Sequence, residues 1–211
     1  MKRVFYSILA AAVLAVMITA CGGGSGSGSG KNSAKIKMTT ERSYFVVSLA
    51  GSGIATVDWG DGSEKTALTL NENWVHFDHD YPNASLRTIT IYGDNITALH
   101  CSNDVMSLDV SRCTELKRLF CDGSFTSLDV SKNTKLTELA VGSGQLMSLD
   151  VSRNTVLTEL RVGRQLTGST LNALFRTLHS NAGEKTIYIS GNPGERDCDR
   201  SIAINKGWTV R

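Results

Sequence analysis

The chain has 211 residues, with 22 Lys and Arg against 20 Asp and Glu and a formal charge of +2. That length fits one or two domains, and a hydrophobic fraction of 41% with only 2 prolines excludes a chain disordered by composition. Both excess bases, Lys2 and Arg3, precede an apolar run from Val4 to Ala20 with the layout of a secretory signal. Without them the balance is even, and no electrostatic reason remains to expect nucleic acid or an anionic surface as partner.

The apolar run ends in Ile18-Thr19-Ala20-Cys21, a string that resembles the lipobox of bacterial lipoproteins. The resemblance implies a signal peptide over 1–20, cleavage before Cys21, acylation of that cysteine and a firm membrane anchor, since each buried methylene contributes about 0.8 kcal/mol. Residues 22–30 are only Gly and Ser. Such a tether is a flexible coil spanning roughly 15 to 18 Å, and with Cys21 it makes up segment 21–34. Gly22 stands where inner-membrane lipoproteins of enteric bacteria have a retention aspartate, so the outer membrane is expected. The surface and periplasmic faces both stay open, because no acidic residues come directly after Cys21.

Residues 35–92 read as β structure. Phe45, Val47 and Leu49 alternate, then Ile54, Val57 and Trp59, then Ile89 and Ile91, with Gly, Asn and Asp between them. Asp58-Trp59-Gly60-Asp61-Gly62-Ser63 resembles the Trp-Gly-Asp-Gly turn of PKD-like β-sandwich modules, and His79-Asp80-Tyr81 fits the His-x-Tyr found downstream in that family. The segment is shorter than the roughly 100 residues of an immunoglobulin-like sandwich. It is therefore expected to be a truncated antiparallel module that caps the N-terminal end of the segment beginning at residue 93. The alternative is a small independent domain with a cleavable link near Gly93 to Asn95.

From residue 93 the chain repeats. Leu108-Asp109-Val110-Ser111, Leu128-Asp129-Val130-Ser131 and Leu149-Asp150-Val151-Ser152 recur at spacings of 20 and 21, a period diagnostic of solenoids. In phase with them run Leu99-His100-Cys101, Leu119-Phe120-Cys121, Leu139-Ala140-Val141 and Leu160-Arg161-Val162, the expected strands. Strand alternation puts Leu and Cys or Val on one face and the residue between them on the other. The pattern from Leu136 through Leu139, Val141 and Gly144 to Leu146 resembles the leucine-rich repeat. Gly144 stands at the usual asparagine, as Gly123 does one repeat earlier, while Asn103 keeps it; looser turns are expected where it is missing. The resemblance covers residues 89–211 and implies a right-handed solenoid with a parallel sheet over 93–167, in a mainly β chain with short helices.

The remainder, 168–211, reads as a C-terminal cap. Leu171, Leu174, Phe175 and Leu178 fall at helical spacing, with Ser169 or Thr170 as N-cap and Gly183 as stop. Ile187 and Ile189 then mark a strand, and Cys198 to Lys206 a last short helix before Trp208. This closing stretch resembles that of leucine-rich-repeat lipoproteins of gut bacteria.

Little in the sequence points to catalysis. Cys101 and Cys121 share the inward position of adjacent repeats and are read as buried thiols acting as small hydrophobes, with a bond between them as the alternative that an oxidising compartment permits. Cys113 and Cys198 stay open. His76 and His79 with Asp78 and Asp80 have the residue types of a metal site but no third ligand at a recognisable spacing, so a metal-dependent hydrolase there is only an alternative. Asp58 and Asp61 suit a tight turn better than calcium. The Asp109, Asp129 and Asp150 column and the parallel Arg112, Lys132 and Arg153 column read as a solvated face. No nucleophile elbow or phosphate loop occurs, and neither a cofactor nor a resident metal is expected.

The leucine-rich resemblance puts the outward strand residues on a concave binding surface. Its candidate residues are His100, Arg118, Phe120, Glu138, Glu159, Arg161 and Tyr188, with Asp122 at one flank. Aromatic and Arg side chains dominate interface energetics. The expectation is therefore a non-enzymatic, lipid-anchored module that binds a protein, or alternatively a glycan, at the cell envelope.

Overall fold

The computed structural model describes residues 33–142 and 144–211, with only the backbone at 102–104. The signal, Cys21 and most of the tether lie outside the described residues. In chain order the elements are β1 (Ile36–Thr40), β2 (Tyr44–Asp58), β3 (Thr66–Leu70), β4 (Val75–Asp80), β5 (Arg87–Tyr92), β6 (Asn95–Val105), β7 (Ser107–Asp109), β8 (Arg118–Gly123), β9 (Glu138–Val141) and β10 (Glu159–Val162). After these come α1 (Gly168–Thr177), β11 (Thr186–Tyr188), α2 (Ser201–Ile204) and β12 (Thr209–Val210). The chain is mainly β, and its strands join in one mixed sheet ordered β12-β11-β10-β9-β8-β6-β2-β5-β1-β7, with β3 and β4 also paired to β2. No described helix is long and apolar enough to cross a membrane.

Strand β2 joins the two halves of the molecule. Its first half pairs antiparallel with β4 and β6, and its second half with β3 and β5. The changeover falls at Gly51, where the register with β6 shifts. Gly51 has φ +153°, and a Cβ there would lie 1.9 Å from the Asn95 carbonyl oxygen. Only glycine allows that approach. The two β runs expected from the sequence are thus one strand with a register shift at Gly51, and Ile54 of the second run is 65% exposed.

The other half is a parallel ladder of β6, β8, β9, β10, β11 and β12. Leu99, Leu119, Leu139, Leu160 and Ile187 pair in register from strand to strand, and all are buried. Cys101, Cys121, Val141 and Val162 form the adjoining inward column. A return of the chain about every 20 residues with an identical inward pattern leaves parallel pairing as the arrangement that buries every leucine at once. Trp59, Ile89 and Ile91 of the N-terminal half belong to the same buried cluster as these columns and as Leu171, Phe175 and Trp208 of the C-terminal segment.

Three expectations change in detail. Cys101 and Cys121 are joined in a disulfide across β6 and β8 and are not the buried thiols expected; in-register parallel pairing brings their Cα atoms to 4.9 Å, within bridging range. The turn asparagines sit elsewhere. Asn133 and Asn154, which come just after the Leu-Asp-Val-Ser motifs, each donate twice through Nδ2 to carbonyls of the preceding repeat: Asn133 to Val110 (3.0 Å) and Cys113 (2.8 Å), Asn154 to Val130 (3.1 Å) and Asn133 (2.8 Å). The C-terminal segment is capped differently as well. Thr167 is the N-cap of α1 in place of Ser169 or Thr170, the helix ends at Thr177 well before Gly183, and α2 is only four residues long. Lys206 satisfies the end of α1 by donating to the Arg176 and Leu178 carbonyls, and Trp208 Nε1 donates to the His179 carbonyl at 2.8 Å.

Candidate functional site

Register fixes which side chains share the face opposite the leucines. One row across the sheet is His76, Ser48, His100, Phe120, Ala140, Arg161 and Tyr188. The next is Ala50, Ala98, Arg118, Glu138, Glu159 and Thr186. All seven residues singled out from the sequence therefore lie on one face, and that face continues without a break onto β2 and β4 of the N-terminal half.

The structure sorts them into two clusters. At the β10 end, Arg161 Nε donates to Glu159 at 2.7 Å while its guanidinium lies 4.0 Å from the centre of the Tyr188 ring. At the β8 end the organising residue is Trp74, which precedes β4 and carries no signal in the sequence pattern. Its ring lies 6.1 Å from His100 and 6.0 Å from Phe120, centre to centre, and the Arg118 guanidinium stands 4.8 Å above it. Continuing the β2–β4 register places Trp74 level with Ala50, and Ala50 and Ala98 separate it from Arg118 in that row. Their methyl groups keep the sheet surface low enough for an indole to cross. The cation over the ring contributes about 0.5 to 1 kcal/mol at a partly open site. Phe120 thus has a neighbour to lean on, and both rings remain partly exposed. The two alanines are the one hint of Trp74 in the sequence, since Asn71-Glu72-Asn73-Trp74 has no periodicity that would place it on the sheet.

The histidine group separates. His76 and His79 are three residues apart on one strand and so point to opposite faces. His76 Nδ1 pairs with the Ser48 hydroxyl at 2.7 Å, and His79 Nε2 donates to Asp61 at 2.8 Å. The two imidazoles therefore do not converge on one point. No group of three or more potential metal ligands occurs among the described residues.

The Asp58–Ser63 turn is held by its own side chains and by His79. Asp61 accepts from the Ser63 amide and hydroxyl, and the Ser63 hydroxyl, then His79, hold its carboxyl well below the usual range. Trp59 stacks on His79 at 5.0 Å, and its Nε1 donates to Thr66. Tyr81 donates to the Trp59 carbonyl at 2.9 Å, and burial pushes its phenol up to about 12. In the aspartate column, Asp109, Asp129 and Asp150 each accept the amide of the serine two residues on, at 2.9, 2.8 and 2.8 Å. That serine, first through its side chain, holds Asp109 and Asp129 below the usual carboxylate range.

No family model, no curated protein and no solved structure matches the chain.

Proposed function

We propose that the chain is a non-enzymatic binding module of the bacterial cell envelope, anchored in the outer membrane through lipid on Cys21 and carrying a short leucine-rich-repeat solenoid behind a PKD-like N-terminal cap. It contacts a protein partner through the concave face of the solenoid. The observation that carries this reading is the continuous sheet face holding Trp74, His100, Arg118, Phe120, Arg161 and Tyr188 at its surface. A sheet needs one apolar face for its core, and the leucine columns already supply it. Aromatic and Arg side chains kept on the other face suit an interface. Affinity capture from envelope extracts tests the reading: Phe120→Ala with Arg161→Ala should lose the partner that the unaltered chain retains, and undiminished capture would move the interface elsewhere. For the anchor, Cys21→Ala should release the protein from membranes.

A glycan ligand is the second reading, favoured by the Trp74 and Phe120 rings flanked by the hydrogen-bonding groups of His100 and Arg118. Binding on a glycan array that Trp74→Ala abolishes would select it.

A further inference from the structure

Strand β9 is the low line of the candidate face. It presents Ala140, with Gly142 two residues on, where β8 presents Phe120 and β10 presents Arg161. Ala140 floors a trough between the Phe120 ring on one side and the stacked Arg161 and Tyr188 on the other, and Gly142 makes room for the Asp122 carboxylate. A carboxylate stands at each end. Glu138 opens β9, and Asp122 leans across from β8, so that a Cβ on Gly142 would lie 2.0 Å from its Oδ1. Neither carboxylate has an ion-pair partner among the described residues. Arg118, in register with Glu138 on the neighbouring strand, lies over Trp74 instead, and Arg161 pairs with Glu159.

We infer, on the basis of the protein-binding reading above, that the partner presents an extended segment with a Lys or Arg at each end of a five-residue stretch and an apolar side chain at its centre. Residues four apart on an extended chain are separated by about 13 Å and share a face, which is the sequence spacing from Glu138, the first residue of β9, to Gly142, the residue after it. Laid along the trough, such a segment puts its central side chain on Ala140 against Phe120 and one cation beside each carboxylate. Width also favours an extended chain. Strands β8 and β10 are about 9.6 Å apart across β9, less than the roughly 10 to 12 Å diameter of a helix with its side chains. Two carboxylates without counter-ions select for positive charge and against negative.

The test is fluorescence anisotropy of the full chain in detergent with a labelled peptide alternating threonine with, in order, lysine, valine and lysine, beside the same peptide with glutamate for each lysine. The lysine peptide should bind at least about tenfold tighter, with the advantage shrinking as salt rises. Asp122→Asn with Glu138→Gln, both surface changes checked for fold by circular dichroism, should abolish the difference. Gly142→Val should weaken binding by displacing Asp122, whose Oδ1 occupies the place a Cβ would take. Equal binding of the two peptides, no binding of either, or a lysine preference that survives the double variant overturns the inference. Binding without charge preference that Phe120→Ala still weakens overturns the basic-segment assignment alone, whereas partner capture indifferent to Phe120→Ala and Arg161→Ala overturns the concave-face reading itself.

Discussion

Asn133 and Asn154 are fully buried amides, and each ties its repeat to the preceding one by donating to two backbone carbonyls. Removing such a donor strands two buried acceptors, so Asn133→Ala should cost about 2 kcal/mol or more, read as a lower urea midpoint at unchanged slope. Cys113 holds the equivalent position with a weak thiol donor, 3.5 Å from the Ile96 carbonyl. Burial raises that thiol to about 12. In the Cys21→Ser chain, alkylation at pH 8 should label the half-buried Cys198 while the native Cys113 stays unmodified; rapid native labelling at Cys113 would contradict its burial. Asp61 sets an acid limit. Its native carboxyl titrates below the unfolded value, so the stability it contributes is present above about pH 4 and lost as pH falls through the native pKa. Asp61→Asn should flatten that decline in acid denaturation followed by Trp fluorescence.

At the level of elements, the disulfide clasps the first two strands of the parallel ladder, β6 and β8. It closes a loop with a sequence separation of 20, for which chain entropy gives about 3 kcal/mol. Cys101→Val with Cys121→Val copies what Val141 and Val162 already do further along the ladder, so the fold should survive with a stability lower by roughly that amount, measured by denaturation with and without reductant. The repeat strands were legible in the sequence because alternation and period are local signals that four segments repeat. The disulfide was not, because a column of Cys and Val reads equally well as apolar packing, and only the in-register approach of β6 and β8 decides between thiol and bond. The helix cap moved from Ser169 or Thr170 to Thr167 for a similar reason. Four adjacent residues, Thr167 to Thr170, include three hydroxyl side chains that can cap, and docking of the helix on the core chooses among them.

Over the whole molecule, one buried cluster runs from β1 to Trp208. The N-terminal half and the repeats share strand β2 as well as this core. Thermal unfolding followed by far-ultraviolet circular dichroism and by Trp fluorescence should therefore give one coincident transition, without the early proteolytic cut near Gly93 to Asn95 that an independent domain would show. Gly51→Ala tests the joint directly: a Cβ there meets the Asn95 carbonyl at 1.9 Å in a left-handed backbone conformation, and the variant should lose about 3 kcal/mol or more.

The even charge balance without Lys2 and Arg3, the β character, the repeat period and the seven outward residues came from the sequence alone, because each rests on composition or on alternation along a single segment. Besides the disulfide and the helix cap, the tertiary structure was needed for β2 serving both halves, the separate partners of His76 and His79, and the arrival of Trp74 beside Arg118 and Phe120. These depend on which strands become neighbours. Neighbour choice is set by burial of the shared core across distant segments, a quantity that no local pattern records.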